Sequence, residues 1–112
     1  MLTIRNLAYA VASISLTATP LLAADLLVSP GQSIADAMAS GQPGDRVLVA
    51  AGTYPESVTL ADGIELRGGY DVTFSEEARN PGVHVTTIHG SGLSPALVSG
   101  PEISAATIVD GF

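Results

Sequence analysis

The sequence predicts an all-β solenoid, a right-handed single-stranded parallel β-helix with a short N-terminal capping helix, ending after about four coils. Three observations predict it. Strand-like segments ending in Gly recur as "IELRG" at 64–68, "TTIHG" at 86–90 and "TIVDG" at 107–111, in steps of 22 and 21 residues. The interiors of these segments are β-branched or Leu, and the turns between them carry Gly, Pro, Asn and Asp. One stretch alone carries a good helix signal, so no crossover helices separate the strands.

The chain opens on a secretory-signal pattern over residues 1–24. Arg5 is the only charge before Leu7–Leu16, an apolar run too short for a bilayer span, and "TATPLLAA" supplies a Pro turn and small residues before Asp25. Cleavage after Ala23 or Ala24 puts Leu21 or Leu22 where a small residue is preferred. Residues 25–112 are then expected to be the N-terminal portion of a parallel β-helix domain, with no transmembrane segment once the signal is removed.

Composition narrows the partners. The 112 residues include 11 acids against four basic residues, and every base is Arg. A net charge of −7 repels nucleic acid and anionic headgroups. With no Cys, neither a disulfide nor a lipidated Cys is available, so stability rests on burial and backbone pairing.

The elements follow in order. In "SPGQSIADAMASGQPGD", Ser33 can accept from the N–H three residues on, Asp36 sits in the first turn, and Ile34, Ala37 and Met38 share a face before Gly41. The spacing predicts a helix over 34–39. Pro43-Gly44 turns into "RVLVAAGTY" at 46–54, a nearly continuous apolar run that reads as a strand buried on both faces or at a sheet start. "SVTL" at 57–60 alternates, Ala61-Asp62-Gly63 turns, and "IELRG" places Ile64 and Leu66 inward with Glu65 and Arg67 outward. "PALVSG" at 95–100 supplies a further strand within the repeat. Leu66, Ile88 and Val109 are expected to stack in one column, the polar Arg67, His89 and Asp110 following at the turns. The excursion "YDVTFSEEARNPGVH" at 70–84 reads as a side loop turned by Asn80-Pro81-Gly82.

The stretch "SIADAMASGQPGDRVLVAAGTYPESVTL", with "GIELRGGYDVTF", "ARNP", "TTIHG" and "TIVDGF", resembles the N-terminal cap and first coils of bacterial pectin-lyase-like β-helix proteins. That resemblance implies that Ile34, Ala37 and Met38 cap the open end of the fold. Enzymes and non-catalytic surface proteins share this architecture, so it implies no single reaction. Such proteins have many more coils, and a chain stopping at "TIVDGF" is expected to be a fragment, a truncated product or a subunit completed by another chain. Ile108, Val109 and Phe112 would lie on a raw edge, an expected self-association site.

Candidate chemistry is sparse. A polysaccharide lyase needs a base and a cation beside the developing charge, for which Arg46, Arg67, Arg79, His84 and His89 are the candidates, Arg67 and His89 at matching positions of the repeat. Glycoside hydrolysis needs two facing carboxylates, drawn from Glu65, Asp71, Glu76, Glu77 and Asp110, but no spacing selects a pair. Asp71, Glu76, Glu77 and Asn80 offer oxygen ligands for calcium in an order matching no standard loop. His84 and His89 lack zinc-site spacing, and "GSG" at 90–92 lacks the Lys and helix of a phosphate loop. Tyr54, Tyr70 and Phe74 can stack on sugars or pack under the long loop. No catalytic, cofactor-binding or metal residue is assigned. The reading favoured is a secreted or cell-surface module, with the periplasm as the alternative location, scaffolding adhesion or contact with a polysaccharide or cell-surface glycan without catalysis. The alternative is the amino-terminal part of a polysaccharide lyase or glycoside hydrolase whose catalytic coils lie beyond Phe112.

Overall fold

A computed structural model describes residues 23–90, 92, 94–100, 103–104 and 106–112. The expected signal segment therefore lies outside the described residues up to 22, as does Ser91 of the "GSG" stretch.

Strand β1 (Asp25–Val28) leads into helix α1 (Ile34–Ser40). Ser33 holds an extended backbone at the N-cap and its hydroxyl accepts from the Asp36 N–H at 3.1 Å, while Gly41 closes the helix through its N–H to the Ala37 carbonyl. A helix of seven residues is too short to persist alone. Burial of Ile34 and Met38 holds it against β1, β2 (Arg46–Ala50) and β4 (Val58–Leu60).

The run at 46–54 is two strands, β2 and β3 (Gly52–Tyr54), not one. At Gly52 φ is +150°, a conformation that side-chain-bearing residues rarely adopt, and the chain turns there from one sheet into another. Both faces of β2 are buried, as its unbroken apolar pattern requires. Strand β5 (Glu65–Tyr70) runs past the "IELRG" stretch into Gly68, Gly69 and Tyr70. Gly69 has φ +86°, and a Cβ there would meet the Pro81 ring at 2.7 Å, so this position needs glycine for backbone and contact alike. Strands β6 (Thr86–Ile88), β7 (Leu97–Ser99) and β8 (Ile108–Asp110) complete the described chain.

All pairings are parallel. The strands form a four-stranded sheet in the order β1-β2-β5-β8 and two two-stranded sheets, β3-β6 and β4-β7. Their inward residues share one core of Val28, Ile34, Met38, Val47, Val49, Tyr54, Val58, Ile64 and Leu66, on which Ile88 and Leu97 pack from the outer strands.

This arrangement corrects the predicted fold. Among the described residues, eight short strands in three small parallel sheets, with one short helix, stand where the sequence predicts a right-handed single-stranded parallel β-helix of about four coils. The proposed column of Leu66, Ile88 and Val109 is broken. Leu66 pairs with Val47 and Val109, whereas Ile88 pairs with Tyr54 in a different sheet. Nor is the pairing step constant. Asp25 faces Arg46 and Arg46 faces Glu65, but Glu65 next faces Ile108, roughly double the distance along the chain. The long excursion after Tyr70 takes up the residues that a regular repeat would have used for pairing. The Gly-ended segments thus share a local pattern because each is a half-buried strand meeting a turn.

Candidate functional site

The outer face of the four-stranded sheet carries the largest gathering of chemistry-bearing side chains. Because side chains alternate along a strand, Asp25 on β1, Arg46 on β2, and Glu65 and Arg67 on β5 stand opposite the partly buried Leu26 and the buried Val47 and Leu66. The loop from Asp71 to His84 folds back over this face. Its turn is built as the Asn80-Pro81-Gly82 pattern requires, with the Asn80 carbonyl accepting from the Val83 and His84 N–H groups at 3.0 and 2.7 Å.

Four side chains converge under the loop. Arg46 grips Asp25 through Nε and Nη2, each at 2.8 Å, and its Nη1 lies 3.5 Å from Glu76 Oε2. From the next strand Arg67 Nη1 approaches Glu76 Oε1 at 3.7 Å. The Tyr70 hydroxyl donates to Glu76 Oε2 at 2.5 Å. One loop carboxylate therefore bridges two guanidinium groups and a phenol, while half of its side chain remains open to solvent.

The electrostatics follow from these contacts. The hydrogen bonds from Arg46 hold the Asp25 carboxyl below its ordinary range, and the same bonds raise the Arg46 guanidinium. Burial, followed by the hydrogen bond to Glu76, pushes Tyr70 up to about 12. Phe74 lies beside it with ring centroids 6.2 Å apart, in a positive-φ backbone of 56°. Across the Tyr70 ring sits Arg79, its guanidinium carbon 5.3 Å from the centroid. Arg79 also donates from Nε to the Gly68 carbonyl at 2.8 Å and from Nη2 to Asp110 at 3.0 Å, tying the loop to β8.

Other candidates are dispersed. Arg67 and His89 do not share a face, since β5 and β6 belong to different sheets and the His89 N–H donates to the Tyr54 carbonyl on the two-stranded side. The proposed calcium ligands point into separate local bonds. Asp71 accepts from the Thr73 N–H and hydroxyl, Glu77 from the Ser75 hydroxyl, and Asn80 from the Gly82 N–H. Among the described residues no three His, Asp or Glu side chains gather as a cation-binding group. Tyr54 is a core residue. Its hydroxyl donates to the Ala50 carbonyl at 2.7 Å, and burial pushes its pKa up to about 12.

Sequence reasoning passed over Glu56 and Asp45. Glu56 reaches across to α1 and accepts from Ser33 Oγ, the Ile34 N–H and the Ala35 N–H at 2.9, 2.7 and 3.1 Å. Beside it a shallow cavity of about 360 Å³ is lined by Gln32, Ser33, Thr53, Tyr54 and Pro55. Asp45, nearly buried, accepts from the Ala24 and Gln42 N–H groups and fixes the turn into β2. Both are acids beside a turn, and "SPGQS" preceding a helix marks only the cap that lies within its own segment.

Among the described residues no helix is long and apolar enough to cross a membrane. Comparison with protein-family models, with curated proteins and with solved structures finds no match to this chain.

Proposed function

We propose that this chain is an exported, cell-surface or extracellular scaffold module that contacts polysaccharide and other chains without catalysing a reaction of its own. The N-terminal charge and apolar pattern supports export, and the Lys-free acidic composition supports an extracellular surface. The observation that carries the reading is the engagement of the cations. Arg46, Arg67 and Arg79 each lie within 4.0 Å of a carboxylate of the same chain, so the groups needed to stabilise an enolate or oxyanion are already neutralised.

Polysaccharide contact is assigned to the ledge formed by Arg46, Arg67 and Phe74 over the buried Tyr70. There the longer contacts to the half-exposed Glu76 leave guanidinium edges of Arg46 and Arg67 and part of the Phe74 ring accessible, with Tyr70 buried beneath them.

The test incubates the purified chain with pectate, alginate and glycosaminoglycan and follows both absorbance of unsaturated products and retention of protein on the immobilised glycan. Retention without turnover is expected, and R67A should weaken it. Sustained product formation refutes the non-catalytic reading. Absence of retention on all three glycans refutes the ledge.

A further inference from the structure

Among the described residues Asp45 is the one acid that the fold buries, at 7% exposed, and no cation stands beside it. The ion pairs of those residues engage Asp25, Glu76 and Asp110, and none reaches Asp45. Arg46, its neighbour in sequence, turns instead to Asp25 through two bonds of 2.8 Å. Asp45 is held by two backbone donors, Oδ1 accepting from the Ala24 N–H and Oδ2 from the Gln42 N–H, each at 2.9 Å. A carboxylate withdrawn from water ordinarily has a counter-charge. Of these two donors only one can become a cation. Gln42 lies inside the turn into β2, whereas Ala24 is the exposed residue just before β1.

The signal pattern allows a cut after Ala23 or after Ala24 and does not choose between them, since each leaves a Leu at the disfavoured position. The fold separates the two. Hydrolysis of the Ala23–Ala24 bond adds water across it. Ala23 departs with the carboxylate, and the nitrogen left on Ala24 is protonated to an ammonium where the amide N–H already points at Asp45. Hydrolysis of the Ala24–Asp25 bond removes that nitrogen, together with the Ala24 carbonyl that accepts from the Arg46 N–H at 2.8 Å beside the β1–β2 pairing. The first cut places a cation on the buried carboxylate. The second takes a donor from the carboxylate and a bond from the strand pair.

We infer that the mature chain begins at Ala24 and that Asp45 is the binding site of its α-ammonium group, locking the start of β1 to the turn before β2. The inference rests on the export reading above and adds where processing occurs and what the new terminus does. One ammonium N–H meets Asp45, and the exposure of Ala24 keeps the other two within reach of water, so the pair forms without full desolvation of the terminus.

The test expresses the full chain in an exporting bacterial host and reads the intact mass and N-terminal sequence of the product outside the cytoplasm. A terminus at Ala24 is expected. An exported chain beginning at Asp25 or elsewhere overturns the assignment and leaves the export reading standing, whereas a chain that keeps residues 1–23 in every fraction overturns both. Because the sequence has no Lys, an amine-directed acetylating reagent modifies only the α-amine of the exported product. Acetylation restores a neutral amide N–H at the same atom, removing the charge and keeping the hydrogen bond. The urea midpoint should then fall by about 1 M, as expected when a charged hydrogen bond becomes a neutral one. In D45N, with folding checked by far-UV circular dichroism, acetylation should leave the midpoint unmoved. An unchanged midpoint in the parent, or an equal fall in D45N, overturns the ammonium site, and should D45N fail to fold the parent's shift decides alone.

Discussion

Replacing Glu56 by Ala tests how this small fold holds helix α1. The side chain spans from the segment after β3 to the first turn of α1, where its two oxygens accept from one hydroxyl and two backbone N–H groups. A seven-residue helix has four N–H groups without internal partners, and here Ser33 serves one while Glu56 serves two more. A hydrogen bond to a charged acceptor contributes about 1.5–3 kcal/mol, but water can reach this partly buried site and replace part of each bond. Loss of a helix cap costs about 0.5–2 kcal/mol. Together these place E56A at about 2–3 kcal/mol of destabilisation, and E56Q, which keeps an acceptor but not the charge, at about 1 kcal/mol. Urea unfolding followed by far-UV circular dichroism is the assay. With a slope near 1 kcal/mol/M for so small a domain, the E56A midpoint should fall by about 2–3 M. A midpoint within about 0.5 M of the parent would show that water satisfies those N–H groups equally well, and the helix would then be held by Ile34 and Met38 alone.

Two further outcomes are expected. Tyr54 and Tyr70 both have phenol pKa values raised to about 12, chiefly by burial, against an ordinary value near 10. The folded state thus favours the neutral phenol, a contribution complete below pH of about 10 and lost as pH rises through about 12, so tyrosinate absorbance near 295 nm should appear together with unfolding. Leu66→Ala, at a fully buried site shared by three strands of the large sheet, should cost about 2–5 kcal/mol, and Ile88→Ala, on a half-buried edge strand, at most about half as much. Equal losses in thermal or urea unfolding would argue that the two residues share one column after all.

What was legible from the sequence was local. The Ser33 cap with Ile34 and Met38 spaced one turn apart specifies α1, and alternation specifies which side of β5 is buried. The Asn80-Pro81-Gly82 turn specifies where the long loop reverses. The ledge was only half visible. Arg46, Arg67, Glu76 and Tyr70 were each candidates, but their separation along the chain hid the convergence of two guanidinium groups on one loop carboxylate. Glu56 stayed hidden because its partners lie more than twenty residues away.

Sequence alone therefore determined the helix, the strand segments other than β1 and the break at Gly52, the buried side of β5, the acidic Lys-free charge and the turn at Asn80-Pro81-Gly82, because these depend on side chains a few residues apart. Pairing was decided by the tertiary structure. Three segments with the same "strand then Gly" pattern are interchangeable in sequence, and only the turn at Gly52 and the path of the loop after Tyr70 assign Ile88 to Tyr54 rather than to Leu66. Parallel strands have no tight hairpin to set their register, so the connections set it, and a connection's path is known only once it packs.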